Sequence, residues 1–240
     1  MSVLETVGIA KQYKKRRVVD GISLKVEIGQ VVGMLGPNGA GKTTSFYMIA
    51  GFIRPDEGSV LLDGEDITSL PIHKRSLKGI SYLAQDSSVF KKLTVEENVR
   101  IVLEPLGLSE KKIRERIEQL FSDLKIGYLA DNKAHSLSGG ERRRVEIMRA
   151  LATDPRFILL DEPFAGIDPL SVADLQQIIG DLRDRGLGVL ISDHNVRETL
   201  SVCDNAYIVN SGKILTTGPA EEIVNSEEAR RMYLGENFSM

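Results

Sequence analysis

A glycine-rich loop near the N-terminus, GPNGAGKTT at residues 36–44, constrains the fold of this chain more than any other stretch. It follows the apolar run VVGML and precedes the helix-compatible run TSFYMIAGF. Glycines let the backbone bend so that successive N–H groups and the first turn of the following helix face phosphate oxygens. A strand, a loop that ends in Gly-Lys-Thr and a helix together predict a phosphate-binding loop in an α/β fold.

The residue types in this phosphate loop predict separate roles. We expect Lys42 to reach the β- and γ-phosphates of ATP and the Thr43 hydroxyl to bind Mg²⁺. Thr44 is a further phosphate donor. A glycine-rich turn without a ligand is the alternative, but it does not account for the lysine and threonine at the end of the loop. The predicted nucleotide-binding residues here are Gly36, Pro37, Asn38, Gly39, Ala40, Gly41, Lys42, Thr43 and Thr44.

An acidic pair, Asp161 and Glu162, directly follows the apolar run FILL. A buried strand delivers its last side chains to the carboxyl edge of the sheet, where ligands bind in open α/β folds. Asp161 therefore suits Mg²⁺ binding through water. Glu162 suits a general base that polarises the water attacking the γ-phosphate, a contribution of roughly 10²–10⁴ in rate. A solvated turn or a helix cap is the alternative explanation for the pair.

A second glycine turn, LSGGE at residues 137–141, opens the helical run RRRVEIMRAL. Ser138 and Glu141 have the spacing of a capping box, which accounts for a helix start. A capping box does not call for Gly139 and Gly140. Each of these glycines costs up to roughly 1 kcal/mol of helix stability relative to alanine in a first helical turn. Close approach of an anion to the backbone accounts for them, so the turn predicts a second phosphate site.

The remaining pattern predicts an α/β fold of one domain with a RecA-like P-loop core. Short β-branched runs at 30–35, 157–160 and 187–192 predict buried strands, and amphipathic stretches follow several of them. The N-terminal runs 3–9 and 18–27 alternate and predict an antiparallel β part. Helical spacing dominates between the two halves of the core. We therefore expect a core lobe of about residues 1–85 and 157–240, with a helical lobe of about 86–156 inserted.

Composition excludes several classes of protein. A net charge of −3 over 240 residues argues against bulk attraction to nucleic acid or anionic lipid, and we interpret the basic run KKRR as a solvated turn. A lone cysteine, Cys203, favours a reducing compartment. No stretch approaches the ~20 apolar residues that span a bilayer, and the N-terminal run lacks the pattern of a signal peptide. We expect a cytoplasmic protein without direct membrane insertion and without a nucleic-acid partner.

Two phosphate-binding ends in one chain invite a head-to-tail arrangement in which each copy lends its second glycine turn to the nucleotide of the other. Here the sequence resembles the nucleotide-binding subunits of ATP-binding-cassette (ABC) transporters, whose signature motif is LSGGQ or a close variant such as residues 137–141. The resemblance covers nearly the whole chain. It implies the ABC ATPase fold, an ATPase, ATP and Mg²⁺ as ligands, and a homodimer with ATP at its interface.

The resemblance also implies roles for residues that are weak candidates in isolation. Tyr13 resembles the aromatic residue that stacks on adenine, and Gln85 the glutamine that senses Mg²⁺ and the attacking water. His194 resembles the switch histidine that contacts the γ-phosphate, and Asp168 the aspartate that crosses the dimer interface. Without the family they would be a packing tyrosine, an exposed loop amide, a helix-start residue and a turn former. The second glycine turn contributes Ser138, Gly139, Gly140 and Glu141 to nucleotide binding.

Transport is the function that the resemblance implies most directly, since non-transport ABC ATPases usually hold two cassettes in one chain or long coiled coils. The tail YLGENF and the stretch SDHNVRETLSVCDNAYIV closely resemble the corresponding parts of ATPases of the lipopolysaccharide transport system of Gram-negative bacteria. Branched-chain amino-acid importer ATPases are the alternative. We expect a peripheral subunit on the cytoplasmic face of the inner membrane, bound to two multi-spanning subunits through a groove near Phe90. The C-terminal Tyr233, Leu234 and Phe238 are expected to pack back on the chain or across the dimer.

Overall fold

A computed structural model describes residues 2–166, 168–235 and 238, and it contains two β-sheets. The central sheet has six strands in the order β10-β9-β3-β8-β7-β6. The strands of both sheets are β1 (Val3–Tyr13), β2 (Arg16–Glu27), β3 (Val31–Leu35), β4 (Glu57–Leu62), β5 (Glu65–Asp66), β6 (Ile80–Leu83), β7 (Phe157–Asp161), β8 (Gly188–Ser192), β9 (Asn205–Asn210) and β10 (Lys213–Gly218).

Parallel pairing brings the functional loops to one edge of the central sheet. β3 pairs in parallel with β8 and β9, and β7 pairs in parallel with β6 and β8. β3, β7 and β8 are buried along their whole length, as expected for strands covered on both faces. The residues that follow these strands therefore converge at the carboxyl edge, where open α/β sheets bind ligands.

The N-terminal part forms the predicted antiparallel sheet, with strands in the order β2-β1-β4-β5. The helix α1 (Lys42–Ala50) follows the phosphate loop, and its Phe46, Met48 and Ile49 are buried in one apolar cluster with strands of both sheets. This packing fixes the helix, and hence the phosphate loop at its start, between the two sheets. The basic run KKRR differs from the prediction, because only residues 14–15 form the turn and Arg16 already belongs to β2.

Helices occupy the segment between β6 and β7. They are α3 (Val95–Leu103), α4 (Glu110–Leu124) and α5 (Gly139–Leu151), while the short α2 (Ile72–Leu77) precedes β6. α3 and α5 both begin with a complete capping box, at Thr94 and Ser138. Their apolar faces join one cluster with β7 and β8. The division of the chain into a core lobe and a helical lobe stays a prediction.

The C-terminal part covers the outer face of β9. After α6 (Pro169–Asp184) and α7 (Val196–Leu200), the chain forms α8 (Ala220–Asn225), α9 (Glu227–Ala229) and a π-helical turn over Arg230–Leu234. Tyr233, Leu234 and Phe238 pack against the buried cluster around Leu35 and Ile208. The expectation that the tail packs back on the chain is confirmed for these three residues, while Glu236 and Asn237 lie outside the described residues. In the described part of the chain no helix is both long and apolar enough to cross a bilayer.

Candidate functional site

The phosphate loop runs from the end of β3 into α1, and its lysine folds back onto it. Lys42 Nζ donates to the carbonyl oxygens of Gly36, at 2.6 Å, and Pro37, at 3.1 Å. Gly41 has a φ of 104°, and a Cβ there would lie 2.5 Å from the carbonyl oxygen of Val18. Only glycine fits this bend. Asn38, Gly39 and Thr43 are exposed, so the loop presents an accessible concave surface.

Burial and nearby carboxylates have opposite effects on the pKa of Lys42. Burial lowers the pKa of Lys42, and the carboxylates of Glu162, Asp193 and Asp161 act in the opposite direction. These carboxylates therefore lie close enough to the ammonium group to interact with it, although they come from the ends of two different strands, β7 and β8. The sheet topology thus assembles a cluster of one cation and three acids beside the phosphate loop.

Asp161 ends β7 as a buried carboxyl group. Its Oδ2 accepts a hydrogen bond from the Tyr82 hydroxyl at 3.0 Å. Burial raises the pKa of Asp161 to about 6, and the bond from Tyr82 only partly opposes this. A carboxylate destabilised in this way favours a cation ligand, because a nearby positive charge stabilises its ionised form.

Glu162 lies between the two other predicted catalytic side chains. Gln85 Nε2 donates to Glu162 Oε2 at 2.9 Å, and His194 Nδ1 lies 3.3 Å from the same oxygen. Glu162 has a φ of 43°, a region that residues other than glycine rarely adopt. Its N–H donates to the carbonyl oxygen of Ser192 at 2.6 Å. Residues held in such backbone regions cluster at active sites, where the surroundings fix them.

The second glycine turn forms a separate group on α5. The Ser138 N–H donates to Glu141 Oε2 at 2.8 Å, and the Glu141 N–H donates to the Ser138 hydroxyl at 3.3 Å. A Cβ on Gly139 would meet no atom within 4 Å, whereas one on Gly140 would lie 3.0 Å from the Ser171 hydroxyl. Within the described residues, no hydrogen bond or ion pair joins this turn to the phosphate loop.

Asp168 lies beside the second glycine turn, to which Ser171 connects it. Its carboxylate accepts hydrogen bonds from the Ser171 N–H, at 3.0 Å, and from the Ser171 hydroxyl, at 2.6 Å. These two bonds stabilise the start of α6. The interpretation of Asp168 as a turn former did not include this role. Since Ser171 also borders Gly140, Asp168 and the second glycine turn present one continuous surface.

Tyr13 and Phe90 both present aromatic rings to solvent. Tyr13 ends β1 and is 48% exposed, with Lys11 Nζ 5.9 Å from the centre of its ring. Phe90 is 47% exposed, and the guanidinium of Arg149 lies 5.0 Å from its ring centre. Neither ring is part of a buried core. Both are therefore accessible to a ligand or a partner.

Three contributors to the site were missed in the sequence. Tyr82 on β6 binds Asp161, and Asp193 after β8 is fully buried beside His194. Arg75 on α2 is buried against the last turn of α1. Apolar context could have pointed to Tyr82, since it lies in the short run ISYLA directly before Gln85. No local signal distinguishes Arg75 from the other basic residues of HKRSLK, because its burial depends on the position of α1.

The oxygen ligands present fit Mg²⁺ that arrives with ATP. Among the residues that the structure describes, no group of three His, Cys, Asp or Glu side chains is placed to hold a metal ion. Mg²⁺ bound with a nucleotide needs only one or two protein oxygens, because phosphates and waters complete its coordination. The exposed Thr43 hydroxyl, the Asp161 carboxylate and the Gln85 amide oxygen are hard ligands of this kind.

Comparisons with known proteins agree with this architecture. The ABC transporter family profile matches residues 19–165, so the chain belongs to this family. It is an ATPase that binds ATP, with the fold of an ABC cassette. A crystal structure of an ATP-binding cassette of an ABC transporter in its ADP conformation superimposes with a TM-score of 0.88 at 32% identity, over 98% of this chain and 100% of that one.

Among curated relatives, the chain closely resembles lipopolysaccharide export system ATP-binding proteins. It is 56% identical to LptB of Haemophilus influenzae, with 100% of both chains covered. It is 56% identical to LptB of Acidithiobacillus ferridurans, with 99% of both chains covered. Identity to LptB of Escherichia coli K12 is 52%, again over 100% of both chains.

Proposed function

We propose that two copies of this chain close head to tail on ATP, each covering the nucleotide on the phosphate loop of the other. The observation that carries this proposal is the second glycine turn. Its Gly139 face is open, its helix N-terminus attracts anions, and no described bond connects it to the phosphate loop of its own chain. A partner copy supplies the phosphates that this turn is suited to bind.

In this composite site, Glu162 acts as the general base for the attacking water. Gln85 orients that water through its contact with Glu162, and His194 contacts the γ-phosphate. Lys42 leaves the carbonyl oxygens of its own loop for the β- and γ-phosphates, which are stronger partners because they are charged. Thr43, Asp161 and Gln85 would hold Mg²⁺, which would supply neutralisation of the phosphate charge. Tyr13 stacks on the adenine.

A Glu162→Gln variant tests the composite site, because the amide keeps the shape of the side chain and loses the base. We expect ATP affinity to stay within about twofold and hydrolysis to fall by roughly 10²–10⁴. Light scattering with Mg-ATP should then show a doubled mass. The matched control is Glu162→Gln combined with Ser138→Arg, which blocks the second glycine turn and should remain monomeric. A Glu162→Gln chain that binds ATP normally and stays monomeric contradicts the proposal.

We propose that this motor drives extraction of lipopolysaccharide from the inner membrane toward the outer membrane. The support is identity of 52–56% over the full length to proteins named as lipopolysaccharide export ATPases, including the C-terminal part that has no assigned role in ATP chemistry. The branched-chain amino-acid importer is not favoured by these comparisons. The protein would act on the cytoplasmic face of the inner membrane, bound to two multi-spanning subunits.

Depletion of the protein in its native bacterium tests the cargo. Lipopolysaccharide should accumulate at the inner membrane and growth should fail, and added amino acids should give no rescue. Complementation with the Lys42→Ala variant is the control, since a chain unable to bind ATP should not restore growth. Normal surface lipopolysaccharide with loss of leucine uptake would contradict the proposal and favour the importer.

We also propose that the membrane subunits dock near Phe90. A groove of about 200 Å³ lies next to this region and is lined by residues of β6, α3 and α5, among them Tyr82, Val102, Glu146 and Arg149. Arg149 donates to the Ser88 carbonyl oxygen and covers the Phe90 ring, so ring and groove are part of one surface. A short helix from a membrane subunit would fit such a groove, with Phe90 as an apolar contact.

The Phe90→Ala variant tests the docking surface. Since the ring is half exposed, the isolated chain should stay folded and hydrolyse ATP at the wild-type rate, while assembly with the membrane subunits weakens by at least about tenfold, as for an interface hot spot. Val7→Ala is the control, because Val7 is 52% exposed on β1 and lies outside the groove. Normal assembly of the Phe90 variant would place the docking surface elsewhere.

A further inference from the structure

The residue that precedes His194 is a buried carboxylate without an assigned role. Asp193 follows β8, and its relative exposure is 0%. Ser192 pairs with Asp161 across the parallel strands β8 and β7. Asp193 and Glu162 are therefore the first residues after two neighbouring strands, at the same edge of the central sheet.

Both carboxylate oxygens of Asp193 accept N–H groups from two different loops. Oδ1 accepts from the main-chain N–H of His194 at 2.7 Å, from that of Asn195 at 2.9 Å and from the Asn195 side chain at 3.0 Å. Oδ2 accepts from the main-chain N–H of Phe164 at 2.9 Å. The side chain thus connects the loop that carries His194 with the loop that carries Glu162.

The loop that begins with Glu162 needs contacts of this kind, because its first residue lies in an unfavourable backbone region. Glu162 has a φ of 43°, and Phe164, two residues further on, is buried. The same loop continues to Asp168 beside the second glycine turn. Non-glycine residues keep this backbone region only where surrounding contacts hold them. The bond between Phe164 and Asp193 is one of those contacts, and the bond from the Glu162 N–H to Ser192 is another.

We propose that Asp193 is a positioning residue for ATP hydrolysis, which holds the His194 loop and the Glu162 loop in one fixed arrangement. Through it, contact between His194 and the γ-phosphate also sets the position of the general base and of the segment that leads to Asp168. Asp193 itself does not touch the reacting atoms. The inference rests on the proposed role of His194 in the composite site.

The chemistry of the side chain explains why a carboxylate is required. A carboxylate only accepts hydrogen bonds, and here every partner is an N–H donor. Asparagine has nearly the same shape, but one of its two terminal groups is an NH₂ donor. In the Asp193→Asn variant, one of the two loops therefore faces a donor and loses its connection.

The Asp193→Asn variant of the full chain tests this proposal. The Kd for ATP and kcat are measured separately, at a temperature below the unfolding transition of the variant. The variant keeps the hydrogen bonds of the phosphate loop and removes only one of the three carboxylates that act on Lys42, so the Kd for ATP should stay within about twofold. Because misplacement by about 1 Å can cost 10²-fold in rate, kcat should fall at least about tenfold. The control is Asp204→Asn, which makes the same chemical change where Oδ2 accepts the Val31 N–H at 2.7 Å, at the opposite end of β3. Its kcat should equal that of the wild type.

Two further variants make the outcome decisive. Asn195→Ala removes one donor to Asp193 and keeps the carboxylate, and its kcat should fall by about threefold or more at unchanged ATP affinity, whether or not Asp193→Asn folds. In a His194→Ala background, Asp193→Asn should slow single-turnover hydrolysis by a smaller factor than it does in the wild type, because the part of its effect that acts through His194 is already lost. Full multiplication of the two losses, or unchanged kcat in either Asp193→Asn or Asn195→Ala, overturns the inference. Normal hydrolysis by His194→Ala alone would instead refute the proposed role of the histidine.

Discussion

Arg75 offers a quantitative test of how the phosphate loop is anchored from its far side. The side chain is 1% exposed, and its guanidinium donates to four carbonyl oxygens. Nη1 binds Met48 at 2.8 Å and Ile49 at 2.6 Å, Nε binds Leu70 at 2.8 Å, and Nη2 binds Thr68 at 3.0 Å. Met48 and Ile49 lie in the last turn of α1, where carbonyl groups have no partner within the helix.

The Arg75→Met change should lower the free energy of unfolding by about 3 kcal/mol. A buried carbonyl group without a partner costs about 1–3 kcal/mol, so the two at Met48 and Ile49 cost roughly 4 kcal/mol, and the two part-buried ones at Leu70 and Thr68 add roughly 2 kcal/mol at the lower end of that range. Burial of the guanidinium is itself unfavourable and lowers the pKa of Arg75 from 12.5 to about 10. Methionine avoids that penalty, which corresponds to roughly 3 kcal/mol. The difference between the two amounts gives the expected loss.

Urea unfolding of the nucleotide-free chain measures this effect, with Arg156→Met as the matched control. Arg156 also donates to Ser2, Asp63 and the Lys78 carbonyl oxygen, but its side chain is 44% exposed. Water can replace its contacts, so the control should lose about 1 kcal/mol or less. Equal losses in the two variants, or a loss below about 1 kcal/mol for Arg75→Met, would refute the argument that buried carbonyl groups carry the effect.

Three further predictions concern the site. Asp161→Asn should raise the free energy of unfolding of the nucleotide-free chain while it abolishes Mg-ATP hydrolysis, because the raised pKa of Asp161, about 6, shows that its ionised form is disfavoured in the fold. Because the pKa of Asp161 is higher in the folded than in the unfolded chain, this destabilisation is fully present above pH 6 and disappears as the pH falls toward ~4. The thermal unfolding temperatures of the variant and the wild type should therefore converge near that pH. Tyr13→Ala should raise the Kd for ATP about tenfold by loss of stacking, measured by calorimetry with Mg-ATP, and an unchanged Kd would exclude stacking. Ser138→Ala and Thr94→Ala each remove one capping box and should cost about 1 kcal/mol, but only Ser138→Ala should also weaken ATP-driven dimerisation in light scattering.

The sequence predicted those features that depend on neighbouring residues. The phosphate loop, the acidic pair at the end of β7 and the capping box at Ser138 are each contained in a few consecutive positions. The buried runs of β3, β7 and β8 are continuous and apolar, so they indicate strands without knowledge of their partners. The hairpin of β9 and β10 was not predicted, because its strands carry less regular patterns.

Only the tertiary structure decided which of these local features meet. Parallel pairing of β7 with β8 places Glu162 next to His194, and Gln85 reaches the same oxygen from the end of β6. The burial of Arg75 and the double connection made by Asp193 likewise depend on elements far apart in sequence. Residue type and spacing determine what a side chain can bind, because that is local chemistry. Sheet order and helix packing determine what lies within 3 Å of it, because those contacts join segments that no local pattern relates.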